Sequence, residues 1–152
     1  MADEFVEGPS IELEPDPTTQ ILVVDDDPSI RTLNSRIFMG QDNTHVEVAS
    51  SGQEGLEKYK QSGGDLVVSD RTMPPGIFGE EMLFEIIKLN PDVFTVLASG
   101  DVDLEDRKES MLAGGINVVL QKPINVQQLL DVLDQAREWK SEREKFKSEN
   151  TA

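Results

Sequence analysis

The sequence predicts an α/β fold in which helices cover both faces of a five-stranded parallel sheet. Three observations predict this fold. Short runs of β-forming residues recur five times, segments with helical spacing separate them, and four of the five runs are apolar almost throughout. Strands that are buried on both faces of a parallel sheet have this composition. The five runs occupy residues 21–24, 45–49, 65–69, 93–98 and 116–120.

The intervening segments carry apolar residues three or four positions apart, which is the spacing of one face of a helix. The first four helices are predicted from Ile30, Leu33 and Ile37; from Leu56 and Tyr59; from Met82, Leu83, Ile86 and Ile87; and from Leu104, Lys108, Met111 and Leu112. The boundary signals are Asn90–Pro91 after the third helix, Gly114–Gly115 after the fourth, and a capping box of Asn125 and Gln128 that opens a fifth.

The second run, His-Val-Glu-Val-Ala, differs from the others because polar and apolar residues alternate in it. This alternation suits a strand at the edge of the sheet, where one side faces water. A second strand at the edge indicates the flavodoxin-like, doubly wound order 2-1-3-4-5. In that order the ligand crevice lies outside the carboxyl ends of strands 1 and 3.

The composition excludes several classes of function. The chain has 152 residues, 30 acidic and 14 basic side chains, and a formal charge of −16. Such a surface repels phosphate backbones, so we expect no direct binding of nucleic acid. The absence of cysteine excludes disulfides, thiolate metal sites and thiol catalysis, and is consistent with a cytoplasmic protein. We also expect no membrane association, because no signal peptide or apolar run of about 18 residues occurs.

The chain divides into three parts by composition. Residues 1–19 are acidic, contain three prolines and are predicted to be disordered. Residues 20–138 are predicted to form the folded domain, and residues 139–152 a charged C-terminal helical extension or tail. The natural-looking Met1 favours a stand-alone chain over a piece of a longer protein.

Polar side chains follow the ends of the buried strands. Asp25 and Asp26 follow the first run, Asp70 the third, Ser99 the fourth and Lys122 closely follows the fifth. Because the carboxyl ends of parallel strands meet at one edge of the sheet, we expect these groups to converge. Three carboxylates at one place need compensation, which a hard divalent cation supplies: Mg²⁺, with Mn²⁺ as the alternative. One carboxylate then remains as a nucleophile for a phosphoryl group, whose oxygens Lys122 and Ser99 would contact.

Four short motifs occur along the chain in the order Ile-Leu-Val-Val-Asp25-Asp26-Asp27-Pro28, Asp70-Arg-Thr-Met73-Pro74, Ser99-Gly100 and Lys122-Pro123. Together they resemble a response-regulator receiver domain of two-component signalling, CheY-like in type. The resemblance covers about residues 20–135.

The resemblance implies a role for each matching residue. Asp70 would be the phosphoacceptor, and Mg²⁺ would be held by Asp25, Asp26, Asp70 and the backbone carbonyl of Thr72. Ser99 and Lys122 would contact the phosphoryl group, and the bond between Lys122 and the following proline is cis in many such domains.

The resemblance also implies the partners. A histidine kinase or a phosphotransfer protein of a phosphorelay would donate the phosphoryl group. A downstream protein would then bind the face near Ser99 and Lys122. The chain would be a phospho-switch that takes part in its own phosphorylation and dephosphorylation, rather than an enzyme.

The sequence departs from the family pattern at a position that bears on the switch. Receiver domains commonly carry Tyr or Phe three residues before the lysine, where this chain has Val119. We therefore expect Ser99 and the following loop to carry the conformational change without an aromatic ring. Thr72 and Asp101 lie two residues beyond Asp70 and Ser99, and we expect them to modulate the lifetime of the phosphate.

Four residues near these motifs or strands are predicted to have structural roles only. Asp27 before Pro28 is predicted to cap a helix rather than bind metal. His45, Met73 and Phe78 are predicted to be structural.

Two other functions remain as alternatives. A Mg²⁺-dependent phosphatase with an aspartyl nucleophile usually has a second acid two residues further on, where this chain has Thr72. A flavodoxin-like cofactor binder is disfavoured because three aspartates would repel a flavin phosphate, and no glycine-rich loop follows the first strand.

The fifth helix continues as an a/d heptad pattern through a charged segment. The favoured interpretation is that its first half packs on the sheet and the remainder is a solvated tail. The alternative is an extension that docks a partner or forms a weak homodimer. The positions of the pattern are Leu129, Val132, Ala136, Trp139, Arg143 and Phe146.

Overall fold

The structure is a computed structural model that describes residues 17–71, 76–100 and 104–149. Strands and helices alternate along the chain, as the sequence predicts. The elements are β1 (Thr19–Val24), α1 (Pro28–Met39), β2 (Thr44–Ala49), α2 (Gly52–Ser62), β3 (Leu66–Asp70), α3 (Gly79–Leu89), β4 (Phe94–Ser99), α4 (Leu104–Ala113), β5 (Val118–Gln121) and α5 (Val126–Glu149).

The five strands form one parallel sheet in the order β2-β1-β3-β4-β5, which confirms the predicted fold class. The edge position of β2 is also confirmed, and only Ala49 of that strand is buried. The register aligns the carboxyl ends of the inner strands. Asp70 pairs with Ala98, and Ser99 pairs with Gln121. The polar residues at these ends therefore lie at one edge of the sheet.

The helices cover both faces of the sheet and enclose two apolar cores. One core lies beneath α2, α3 and α4, and the other beneath α1 and α5. The first includes Leu22, Val67, Met82, Leu83, Ile86, Leu97 and Met111. The second includes Ile21, Val23, Phe38, Leu66, Val96, Leu129 and Leu133.

Two helices each expose one position that the spacing predicts to be buried. Leu33 of α1 is 54% exposed, and the buried residues of that helix are Asn34, Ser35 and Phe38. Leu112 of α4 is likewise exposed, while Met111 is buried. Adjacent helical positions differ by about 100° around the axis. The rotation of each helix about its own axis, set by how it packs on the sheet, selects between them, and the spacing alone does not fix that rotation.

The predicted capping signals are confirmed. Asp27 caps α1, because its carboxylate accepts hydrogen bonds from the backbone N–H groups of Ser29, at 2.9 Å, and Ile30, at 3.4 Å. Asn125 and Gln128 form a reciprocal capping box at the start of α5, with N–O distances of 2.8 and 3.0 Å. These caps satisfy N–H groups that the first turn of a helix leaves without partners.

The last helix is continuous over its 24 residues. Trp139 lies edge-on against Phe94 with a centroid distance of 5.9 Å, and its Nε1 donates a hydrogen bond to the carbonyl of Asp92 at 2.7 Å. The guanidinium of Arg143 stacks on the Trp139 ring at 4.0 Å. Trp139 therefore packs against the core rather than belonging to a solvated tail. Phe146 is 61% exposed.

The charged part of α5 pairs with the loops that precede two inner strands. Lys140 lies 3.3 Å from Asp65, next to β3, and Lys147 forms an ion pair with Asp92, before β4. The helix thus contacts the amino-terminal edge of the sheet, opposite the edge that carries the polar strand ends. Among the helices of the described residues, none combines the length and the apolar character required to cross a bilayer.

Candidate functional site

Three carboxylates meet at the ends of β1 and β3. Asp25 and Asp26 follow β1 directly, and Asp70 is the last residue of β3. One oxygen from each side chain lies within 4.8 Å of the other two. Ligands on opposite sides of an octahedral Mg²⁺ are about 4.2 Å apart, and its ligands are oxygens. The donor set and its dimensions therefore fit a hard divalent cation, Mg²⁺ or Mn²⁺, after a small closure.

Asp25 is the most enclosed member of this acidic cluster, with 3% of its surface exposed. Its Oδ1 accepts a hydrogen bond from the backbone N–H of Asp27 at 2.9 Å, and its backbone carbonyl accepts one from Arg31 at 2.8 Å. Burial raises the pKa of the Asp25 carboxyl, and the charges of Asp70 and Asp26 raise it further. The Asp27 N–H and the Lys122 ammonium oppose this rise only in part. The cluster thus favours a positive counter-charge.

Lys122 supplies such a charge from the far side of β4. Its Nζ lies 3.0 Å from Asp70 Oδ1 and 3.6 Å from Asp25 Oδ2. Burial lowers the pKa of the Lys122 ammonium, but the hydrogen bond to Asp70 and the charge of Asp25 outweigh it, so the net shift is upward. The backbone N–H of Lys122 donates to the carbonyl of Ser99 at 2.8 Å, and the Lys122–Pro123 bond is cis. The end of β4 thus fixes the point from which this lysine reaches the carboxylates.

The other predicted site residues lie in different surroundings. Ser99 ends β4 beside the acidic cluster and is 1% exposed. Val119 of β5 is buried in the core beneath α2, α3 and α4, so it is a packing residue, and a modulating role for it stays a prediction. Thr72, Met73 and Asp101 lie outside the described residues.

Two residues that are predicted to be structural contact side chains outside the acidic cluster. His45 is exposed on the edge strand β2, with its Nε2 3.6 Å from Glu47. Phe78 precedes α3 and its ring lies against the guanidinium of Arg71, 5.3 Å from the ring centroid.

Sequence reasoning missed two residues that shape the backbone at Asp70. Gly79 begins α3 so close to β3 that a Cβ at this position would lie 2.0 Å from the backbone oxygen of Asp70. Arg71 is buried and pairs with Glu80 in the first turn of α3. No motif signals either contact, because each joins residues that meet only after the loop between β3 and α3 has closed.

Comparisons with known proteins agree with this arrangement. A family model described as "Response regulator receiver domain" matches residues 21–134. The chemotaxis protein CheY of Listeria monocytogenes is 27% identical over 117 residues, which cover 77% of this chain and 97% of that protein. The autoinducer 2 sensor kinase/phosphatase LuxQ of Vibrio vulnificus is 29% identical over 116 residues. That match covers 75% of this chain, which spans only 13% of LuxQ.

A solved structure has the same fold. The CheY-like response regulator receiver domain protein of Methanospirillum hungatei matches with a TM-score of 0.73 and 29% identity. The match covers 82% of this chain and 98% of the matched protein chain.

Proposed function

Because this chain belongs to the response regulator receiver domain family, we propose that it is a phospho-switch in which Asp70 accepts a phosphoryl group. The observation that carries the proposal is the position of the Asp70 carboxylate. It lies in one cluster with Asp25 and Asp26, and 3.0 Å from the Lys122 ammonium. An acid placed between other acids and a lysine is suited to nucleophilic attack on a phosphoryl group that brings its own negative charge.

The donor in this proposal is the phosphohistidine of a histidine kinase or of a phosphotransfer protein. A carboxylate oxygen of Asp70 forms a bond to phosphorus as the phosphorus–nitrogen bond of the donor breaks. The electron pair of that bond returns to the imidazole nitrogen, which takes up a proton. The product is an aspartyl phosphate, and the chain acts as a switch rather than as a turnover enzyme. We place these events in the cytoplasm.

The residues that would hold Mg²⁺ are Asp25, Asp26 and Asp70, with the backbone carbonyl of Thr72 as the further ligand expected from the family. Bound there, the cation would neutralise negative charge on the carboxylates and on the transferred group. Asp25 is buried and anchored by the Asp27 N–H, whereas Asp26 is exposed. Asp25 is thus the fixed part of the proposed cation site, and Asp26 is the part that solvent reaches.

Lys122 and Ser99 would respond to phosphorylation of Asp70 by binding the phosphoryl oxygens. A phosphoryl group on Asp70 adds strong acceptor oxygens where the Lys122 ammonium already lies. Lys122 would pair with those oxygens, and the Ser99 hydroxyl would turn toward them. This rearrangement would change the face near Ser99 and Lys122, to which we assign a downstream protein partner. Because Val119 has no ring to rotate, Ser99 and the loop after it would carry the change.

The test is incubation of the full chain with acetyl phosphate, with and without Mg²⁺, followed by measurement of the intact mass. We expect the wild type to gain the mass of one phosphoryl group only when Mg²⁺ is present, and Asp70→Asn to gain none. Asp65→Asn is the matched control, because Asp65 lies just before the opposite end of the same strand and pairs with Lys140. An Asp70→Asn variant that gains the same mass as the wild type would refute the assignment.

A further inference from the structure

The residue after Asp70 is a buried arginine that pairs with the start of the next helix. Arg71 Nε and Nη2 lie 3.1 and 3.0 Å from the same oxygen, Oε2, of Glu80. The side chains of Arg71 and Glu80 are 8% and 14% exposed. The ring of Phe78 lies against the same guanidinium. The Arg71–Glu80 pair therefore joins the end of β3 to the first turn of α3, within an enclosed environment.

Backbone contacts place this pair directly behind the proposed phosphoacceptor. The N–H of Arg71 donates to the carbonyl of Ala98 at 2.9 Å, and its carbonyl accepts from Gly79 at 2.8 Å. Gly79 in turn packs on the backbone oxygen of Asp70, so closely that a side chain at position 79 would not fit. The end of β3, the end of β4 and the start of α3 thus meet at Arg71. A shift of α3 relative to β3 would move the backbone from which the Asp70 carboxylate projects.

The Arg71–Glu80 ion pair is not expected to contribute much to the stability of the fold. Removing two charges from water is costly, and apolar side chains of similar size often replace a buried ion pair without loss of stability. In the described parts of the chain, Glu80 Oε1 is buried and has no hydrogen-bond partner. A carboxylate oxygen in this state adds a further desolvation cost. A fixed geometry between β3 and α3 accounts better for a pair of this kind.

We propose that Arg71 and Glu80 are positioning residues for the phosphorylation site. Their ion pair holds the start of α3 against the residue that follows Asp70, and so keeps the Asp70 carboxylate within reach of Lys122 and the other two acids. This inference rests on the proposed function of Asp70. It adds a contact that none of the family motifs in the sequence contains.

The test replaces the pair by apolar side chains in the full chain, as Arg71→Met combined with Glu80→Leu. We expect the double variant to fold with a melting temperature close to that of the wild type. Its Mg²⁺ affinity, measured by calorimetry, should fall on the order of 10-fold, as when a group that orients a metal ligand is removed. Its rate of phosphorylation by acetyl phosphate at low Mg²⁺ should fall by a similar factor.

The exposed Lys88–Glu85 pair, 3.2 Å apart on the same helix, provides the matched control. Lys88→Met combined with Glu85→Leu should leave both the affinity and the rate unchanged. Arg71→Lys keeps the charge but loses the two-nitrogen contact, so its affinity and rate should fall between those of the wild type and the double variant. If the double variant does not fold, the Mg²⁺ affinity of Arg71→Lys tests the proposal instead. An Arg71→Lys variant that binds Mg²⁺ as tightly as the wild type refutes the proposal.

Two results would overturn the inference. One is a folded double variant with wild-type Mg²⁺ affinity. The other is a loss of affinity that disappears when it is corrected for the unfolded fraction, since the pair would then only stabilise the fold. A wild type that binds Mg²⁺ but takes up no phosphoryl group would count against Asp70 as phosphoacceptor. The Mg²⁺ affinities of the variants would still show whether the Arg71–Glu80 pair positions the Asp70 carboxylate.

Discussion

The ammonium of Lys122 reaches Asp70 across the end of a strand that separates them. Lys122 follows β5 and Asp70 ends β3, with β4 between these strands in the sheet. Nevertheless Nζ lies 3.0 Å from Asp70 Oδ1 and 3.6 Å from Asp25 Oδ2. The same lysine thus neutralises the carboxylates that we propose for the cation, and it would compete with that cation for them.

This competition predicts opposite effects of Lys122→Met on two measurements. Removing one positive charge beside the carboxylates should tighten Mg²⁺ binding by at least about 10-fold, because two unit charges about 4 Å apart interact by about 1 kcal/mol in water and about 4 kcal/mol near a protein surface. Phosphorylation by acetyl phosphate should slow by at least about 100-fold, because a donor to the transferred group is lost. Titration calorimetry and intact mass measure the two effects. Lys88→Met, on the exposed face of α3, should change neither, and a fall in Mg²⁺ affinity of Lys122→Met would contradict the prediction.

Gly79→Ala should destabilise the protein although alanine is the better helix former. Its Cβ would lie 2.0 Å from the Asp70 backbone oxygen, so α3 or β3 must move. We expect a loss of about 2 kcal/mol in the free energy of unfolding, because overpacking outweighs about 1 kcal/mol of helix propensity. Urea denaturation measures it. In Gly40→Ala the Cβ would meet ordinary contacts at 3.5 Å, and this control should stay near the wild type. Equal stability of both variants would show that the approach at Gly79 is not tight.

We expect the contribution of Glu54 to the free energy of unfolding to depend on pH. Its carboxylate accepts hydrogen bonds from the N–H and hydroxyl of Ser50, at 2.7 and 2.9 Å, which lower the pKa of Glu54 below its usual 4.5. A lowered pKa means that the stabilisation is present above pH 4.5 and is lost as the pH falls through the pKa of the folded state. The carboxylate is partly exposed. We therefore expect Glu54→Gln to cost only about 0.5 kcal/mol at pH 7.

Urea denaturation of the wild type and Glu54→Gln between pH 7 and pH 3 measures this dependence. The difference should be constant down to about pH 5 and then shrink. Glu57→Gln, at an exposed position of the same helix, should show little difference at any pH. A difference for Glu54→Gln that persists at pH 3 would rule out the charge as its cause.

Trp139→Ala tests whether α5 is fastened to the domain through its extension. The ring packs on Phe94 and its Nε1 bonds to the Asp92 carbonyl. We expect a loss of about 2 kcal/mol in the free energy of unfolding, roughly half the cost for a fully buried tryptophan. Phe146→Ala, in the exposed last turns, should cost much less, since that side chain is 61% exposed. Chemical denaturation compares the two, and similar losses would contradict this account of the helix.

The strand ends were the predictable part of this molecule. Each polar site residue follows an apolar run, and the parallel sheet converts that position in the sequence into a shared edge in space. The convergence of Asp25, Asp26 and Asp70 follows from this rule alone. Caps were predictable for a similar reason, since Asp27 and the Asn125–Gln128 box act within one turn of helix.

Contacts that depend on how elements pack against each other were not predictable. The Arg71–Glu80 pair spans a loop, and the sequence offers other carboxylates that Arg71 could meet. Leu33 has the right spacing to be buried, yet the packing of α1 on the sheet buries Asn34 instead. Trp139 fits both a heptad seam and a core position, and only the position of Phe94 beside α5 selects the core.

The C-terminal end of α5 lies far from the acidic cluster, because the helix runs from one edge of the sheet to the other. The helix runs from the β5 side of the proposed phosphorylation site to the loops at Asp65 and Asp92, at the opposite edge of the sheet. Strands of this length place the two edges about 20 Å apart. A fluorophore or affinity handle joined after the last turn of the helix would therefore leave the crevice open to small phosphodonors and to a kinase.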